Sequence, residues 1–186
     1  MKLHLGSGKR HIPGWIHVDV IPGEHVDICH SIDRLPMIAS DSVEVIYACH
    51  VLEHFLRTDV VAVLKEWHRV LIPGGVLRVP VPDFEAIAKL YLGSHDCTDA
   101  KVHKGDLSYT IGPLIGGQDG LYDFHYNIFD YVSLTAYLKA AGFSNIRKYD
   151  WRETEHAFLD DFSQSYCPHL AKANGMLISL NVEGIK

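Results

Sequence analysis

The sequence predicts an α/β fold in three layers, a largely parallel sheet with helices against its two faces. Three observations predict it. Short apolar runs alternate along the chain with segments whose apolar positions follow the helical period. The first run, Leu3-His4-Leu5, enters a glycine turn, Gly6-Ser7-Gly8, and the second, Ile16-His17-Val18, ends in Asp19, eleven residues past Gly8. At 186 residues, 47% of them hydrophobic, the chain can bury one sizeable core and is too short for two ordinary domains, so residues 1–186 are expected to form one.

Each element has its own signal. Glycines let the backbone turn tightly after the first strand and present its NH groups, and an acid at the tip of the second can accept from both hydroxyls of a ribose. About seven residues, interrupted by Pro13 and Gly14, separate Gly8 from the second strand. No full crossover helix fits there, so the helix N-terminus that would hold a pyrophosphate is missing and the predicted ligand is a nucleoside without one. Val26 to Cys29 reads as a third strand, and Val43 to Ala48 as a fourth, apolar enough to be buried on both faces. Thr58 is the expected cap of a helix carrying Val60, Val63, Leu64, Trp67, Val70 and Leu71, which Pro73-Gly74-Gly75 stops. Val76 to Val81 is the fifth strand, and Asp83 caps a helix through Phe84, Ile87 and Leu90 to Gly93. Ser133 is read as the cap of a helix bearing Leu134, Tyr137, Leu138 and Ala141, with Gly142 as its stop. Two last strands, about Ile146 to Trp151 and Met176 to Val182, complete a set of seven.

These stretches resemble the class I methyltransferases that use S-adenosylmethionine. The resemblance rests on Leu5-Gly6-Ser7-Gly8, on Asp19, on the run from Ser42 to His54, on Leu71-Ile72-Pro73-Gly74-Gly75-Val76-Leu77 and on Ala141-Gly142-Phe143, which fall in the family's order and spacing. More narrowly it points to a short-form branch with a shortened first helix. It implies a Rossmann-like, three-layer, seven-stranded and mostly parallel sheet with an antiparallel edge strand. It also implies S-adenosylmethionine as cofactor: Leu5, Gly6, Ser7 and Gly8 against its methionine part, Asp19 and Val20 at the ribose, and Ser31 and Ile32 beside the adenine. The carbonyls of Ala48 or Cys49, after the fourth strand, would hold the methionine ammonium, and His50 would shape the cofactor pocket. Many relatives carry an acid where Ser31 stands.

Methyl transfer from a sulfonium mainly requires alignment, which can supply up to about 7–11 kcal/mol of the barrier. A base is needed only for a hydroxyl or a protonated amine, and His125 and Asp83 are the catalytic candidates. His125 lies in a segment from about 93 to 130 with little periodicity and glycines at 112, 116, 117 and 120, read as a substrate lid presenting Tyr122, Asp123, His125 and Tyr126. The tail supplies Trp151, Arg152, His156, Tyr166 and His169, either for an acceptor pocket or as cover for the sheet edge.

The net charge of −6 and the absence of basic runs argue against nucleic acid or anionic lipid as partner and for a small-molecule acceptor, such as a sugar or other metabolite. No run is long enough to span a membrane, and the N-terminus does not read as a signal peptide, so a cytoplasmic protein is expected. Cys29, Cys49, Cys97 and Cys167 form no CxxC pair and read as reduced thiols. Two other readings compete. His50-Val51-Leu52-Glu53-His54 matches the HxxEH pattern of a zinc hydrolase, with His50 and His54 as ligands if the segment is helical, although the main reading assigns no metal ligand. A cofactor-binding module without turnover is the third.

Overall fold

The computed structural model describes residues 1–93, 111–167 and 171–186. Its strands are β1 (Lys2–Leu5), β2 (Ile16–Asp19), β3 (Ile28–Cys29), β4 (Val43–Tyr47), β5 (Leu71–Pro82), β6 (Ser144–Lys148), β7 (Tyr166–Cys167), β8 (Met176–Leu177) and β9 (Ser179–Ile185). The helices are α1 (Val60–Val70), α2 (Phe84–Gly93), α3 (Gly112–Ile115) and α4 (Tyr131–Ala141). Seven strands form one sheet in the order β3-β2-β1-β4-β5-β9-β6, and β7 and β8 form a separate hairpin. The first five pair in parallel, while β9 runs antiparallel to both β5 and β6, so the last two strands make an antiparallel pair at one edge.

Alternation along the strands sorts side chains between two faces. On one face Leu3, Leu5, Val18, Ile46 and Ala48 meet the buried stripe Val60, Val63, Leu64, Trp67 and Val70 of α1 and Leu134, Leu138 and Ala141 of α4. Spacing of three and four residues puts each stripe on one side of its helix. Irregular chain helps to cover the other face: Ile12 and Trp15, from the short link between β1 and β2, and Leu159, from the tail, pack on Tyr47. The link holds its shape without a helix because Ile12 N donates to His17 Nε2 at 2.9 Å from the underlying strand.

Several boundaries differ from expectation for local reasons. The third strand begins at Ile28, not Val26, because Val26 N closes a turn onto Gly23 O and the Asp27 carboxylate accepts from His17 N. Asp59, rather than Thr58, sits at the cap of α1 and makes no capping bond; the Thr58 hydroxyl donates to the Asp59 carboxylate instead. Asp130 caps α4, accepting from Ser133 N at 2.7 Å, while Ser133 takes the third helical position and its hydroxyl accepts from Asp130 N. That reciprocal box uses both residues and moves the start of the helix back. Pro73-Gly74-Gly75 lies inside β5, since the helix has already ended at Val70. Trp151 leaves the sheet in a 3-10 turn capped by Asp150, and Met176 and Leu177 pair with the β7 hairpin strand rather than with the main sheet.

Cys29 and Cys49 are free thiols, whereas Cys167 is disulfide-bonded, a correction to the expectation of reduced thiols throughout. Separation along the chain is no measure of distance in the fold. Cys97, His169 and the expected lid residues 94–110 lie outside the described residues. Among those described, no helix is long and apolar enough to cross a membrane.

Candidate active site

The parallel strands end on one rim, and a cavity of about 820 Å³ opens there. At the end of β1 the chain turns through Gly6 (φ +64°) and Gly8 (φ +56°), with Gly6 N held by Val18 O at 2.8 Å. A Cβ on Gly6 would stand 2.1 Å from Val51 Cγ1, so the Val51 side chain, from the segment after β4, packs directly on the turn. Asp19, buried at the tip of β2, accepts Gly8 N and Ile21 N, each at 2.8 Å, one on each carboxylate oxygen. One carboxylate thereby holds the glycine turn and the following loop, and each oxygen retains a lone pair on the cavity side.

Of the expected cofactor residues, Gly6, Ser7, Gly8, Asp19, Val20, Ser31, Ile32, Cys49 and His50 line this cavity together, whereas Leu5 and Ala48 are buried and do not. Leu5 and Ala48 belong to the core beneath the rim, because alternation turns their side chains toward α1 and α4. The Ser31-Ile32 corner is held from behind by Trp67 Nε1, which donates to Ile32 O at 2.8 Å. Sequence reasoning missed Lys9, Arg10, Asp161 and Phe162 in the same lining, and placed Tyr122, which also lines it, on the acceptor side. Asp161 and Phe162 arrive from the tail because Tyr47, fully buried in β4, donates to Asp161 Oδ2 at 2.6 Å. No local signal foretells that contact, which spans 114 residues.

A second cavity of about 700 Å³ adjoins the first, and Arg10, His50, His54, Asp161 and Phe162 line both. The remaining lining includes Pro113 of α3, Gly116, Asp123 and His125 from the segment after it, and Asp160, Gln164, Ser165 and Tyr166 from the tail. His125 therefore reaches the site. Asp83 lines neither cavity; its carboxylate accepts Ala86 N at 3.2 Å and caps α2. Tyr122 faces the first cavity, and Tyr126 is exposed and lines neither. Trp151 and Arg152 both donate to the Tyr166 hydroxyl, and His156 is buried against Tyr47 on the sheet's other face.

The HxxEH segment is not the helix a zinc hydrolase needs. Only Leu52–His54 forms a 3-10 turn, and His50 has a left-handed backbone (φ +52°) that a non-glycine residue adopts at a cost. His50 Nε2 lies 3.0 Å from Ser179 Oγ, and burial lowers its pKa to about 3, so it is neutral. Glu53 is fully buried, neither of its carboxylate oxygens has a hydrogen-bond partner, and burial raises its pKa to about 8. His50 Nδ1 lies 3.4 Å from Oε1. The Glu53 carbonyl takes Tyr126 N at 2.8 Å and Asn127 N at 3.2 Å, which stitches the segment after α3 onto this turn and brings His125 against His54, ring centres 4.7 Å apart. Burial lowers the pKa of both imidazoles.

A family described as "Methyltransferase domain" matches residues 17–79. No curated protein matches the sequence. Solved structures share the fold: an S-adenosylmethionine-dependent methyltransferase from Thermotoga maritima is 16% identical with a TM-score of 0.56, covering 100% of this chain and 81% of that one. One from Mesorhizobium loti is 14% identical, TM-score 0.55, covering 100% and 90%. The 1,6-didemethyltoxoflavin-N1-methyltransferase of Burkholderia thailandensis, solved with that substrate and S-adenosylhomocysteine, is 15% identical, TM-score 0.55, covering 100% and 70%.

Proposed function

We propose that this protein is a class I methyltransferase that moves the methyl group of S-adenosylmethionine to an oxygen or nitrogen of a small acceptor, a reading supported by the match of residues 17–79 and by the shared fold. The observation that carries the reading is the pair of adjoining cavities with Arg10, His50, His54, Asp161 and Phe162 as their shared wall. A two-substrate displacement needs two sites that meet at one point, and alignment there is most of the catalysis.

In this reading the Gly6–Gly8 turn lies against the methionine part, the Asp19 carboxylate takes the ribose hydroxyls, and Ser31 and Ile32 bound the adenine. Lys9 and Arg10 stand ready for the methionine carboxylate. The acceptor occupies the second cavity. A lone pair of its heteroatom forms a bond to the methyl carbon as the carbon–sulfur bond breaks, and that electron pair stays on sulfur to give the neutral thioether. The proton of the attacking group leaves on the acceptor side, where the described polar groups include the His54–His125 pair beside Glu53. The net charge of −6 suits a small metabolite, such as a sugar, better than nucleic acid or a membrane.

The test is calorimetric titration with S-adenosylhomocysteine, followed by an acceptor screen. One-to-one saturable binding is expected, and no binding at millimolar ligand overturns the reading. With an acceptor in hand, His125→Ala is expected to lower kcat by roughly 10²–10⁴ while leaving S-adenosylhomocysteine affinity within about threefold. Equal loss of both would make His125 structural.

A further inference from the structure

We propose that Glu53, His54 and His125 bind a divalent first-row transition ion of the Zn²⁺ class, whose open coordination positions face the second cavity and hold the acceptor's attacking atom. The inference rests on the reading that this cavity takes the acceptor. Glu53 and His54 come from the 3-10 turn after β4, and His125 from the segment after α3, so fewer than 80 residues separate ligands that only the fold unites.

Four observations support it. One ligand atom from each residue lies within 4.8 Å of the other two. Some point therefore lies no more than about 2.8 Å from all three, and inward shifts of about 0.7 Å give the ~2.0–2.2 Å bonds of zinc to imidazole and carboxylate. Second, His54 Nδ1 lies 3.1 Å from Phe124 O and His125 Nδ1 2.9 Å from Pro113 O. A carbonyl can only accept, so each neutral ring carries its proton on Nδ1 and keeps its Nε2 lone pair, the tautomer that metal-ligating histidines hold through such outer contacts. Third, the Glu53 carboxylate is fully buried with neither oxygen hydrogen-bonded. An acid in that state needs a proton or a cation, and an ion at the centre of the three supplies the missing countercharge. Fourth, His54 and His125 line the second cavity while Glu53 does not, so the carboxylate approaches from behind and the open positions point to the acceptor.

Two imidazoles and one carboxylate with open positions form the donor set of catalytic zinc and of other divalent transition ions. His50 is not one of the three: its Nε2 is engaged by Ser179, and its Nδ1 lies 3.4 Å from Glu53 Oε1, beside the carboxylate ligand. With the ion bound, the imidazoles no longer act as bases. A hydroxyl on the ion would have a lowered pKa, release its proton to solvent in the cavity, and attack the methyl carbon through an oxygen lone pair as the carbon–sulfur bond breaks.

The test uses Co²⁺ as a spectroscopic probe on chelator-treated protein, with S-adenosylhomocysteine titrated into the same samples. One equivalent of Co²⁺, giving visible absorption bands and displaced by Zn²⁺, is expected. His125→Ala and Glu53→Gln should each bind it at least about tenfold more weakly. S-adenosylhomocysteine binding by both variants reports that they fold. Absence of Co²⁺ uptake by a protein that binds S-adenosylhomocysteine overturns the metal site and leaves methyl transfer standing. Unchanged Co²⁺ affinity in both variants also overturns it. Ligand-dependent Co²⁺ uptake without S-adenosylhomocysteine binding supports the metal site and overturns the methyltransferase reading.

Discussion

A single methyl group added at Gly6 meets two obstacles at once. Its Cβ would stand 2.1 Å from Val51 Cγ1, and φ is +64°. Left-handed backbone costs an L-residue about 1–2 kcal/mol, and overpacking typically adds about 1–3 kcal/mol. Gly6→Ala is therefore expected to lower stability by roughly 2–5 kcal/mol in chemical denaturation and to weaken S-adenosylhomocysteine binding, because Val51 also lines the cavity. Wild-type stability in that variant would show that the turn relaxes freely. Gly6 and Asp19 were legible in the sequence because their signal is local, a turn and a strand tip at characteristic spacing. His125 was legible only as a residue type in an aperiodic stretch. Its partners were not: nothing in the order of residues says that Glu53 O takes Tyr126 N. For Asp83 the capping role was legible in the sequence, whereas an acid at a strand end reads the same whether or not it also faces substrate.

The tail segment around Phe162 gives the two cavities much of their shared wall, and it is tied to the sheet by the Tyr47–Asp161 hydrogen bond and by Asn181 Nδ2, which donates to Ser163 O at 2.9 Å. Tyr47→Phe deletes the hydroxyl that donates to Asp161 Oδ2, while Ser163 N and its hydroxyl still serve Oδ1. A bond to a charged group is worth about 1.5–3 kcal/mol, so a fall in melting temperature of roughly 3–12 °C is expected. KM for both substrates should rise together, because Asp161 and Phe162 line both cavities. A rise confined to one substrate would show that the tail serves only one of them. At the scale of elements, periodic helices and apolar strands were read with small errors at their ends. Those errors have local causes: the Asp130–Ser133 box displaced the cap of α4 by three residues, and the Asp27 contact with His17 shortened β3. The tail had no period to read, since it is held by single side-chain contacts.

Across the whole molecule, the sheet face without α1 and α4 buries imidazoles. Burial lowers the pKa of His4 to about 3, reinforced by the charges of His17, His156, His25 and Arg10. Burial lowers that of His156 to about 4, helped by Arg78 and opposed by Asp161 and Glu155. Both are neutral in the native state, while the unfolded chain takes up their protons below about pH 6.5. Their stabilising contribution is complete above that pH and is lost as pH falls toward 4, at up to about 1.4 kcal/mol per pH unit for each histidine. Denaturant unfolding at pH 7, 6 and 5 should show stability falling stepwise, and His156→Gln should flatten the fall. Equal stability at pH 7 and 5 would mean that this face admits water.

The sequence by itself determined the α/β alternation, the glycine turn, the acid at the tip of β2 and the family resemblance, because each depends on residues near one another in the chain and on periods set by backbone geometry. Only the tertiary structure decided which side chains share a cavity. The Glu53–His54–His125 group, the Tyr47–Asp161 tie and the meeting of two cavities at Arg10, His50 and Phe162 all join distant segments. Such contacts follow from how helices, loops and tail pack on the sheet, and packing leaves no period in the order of residues.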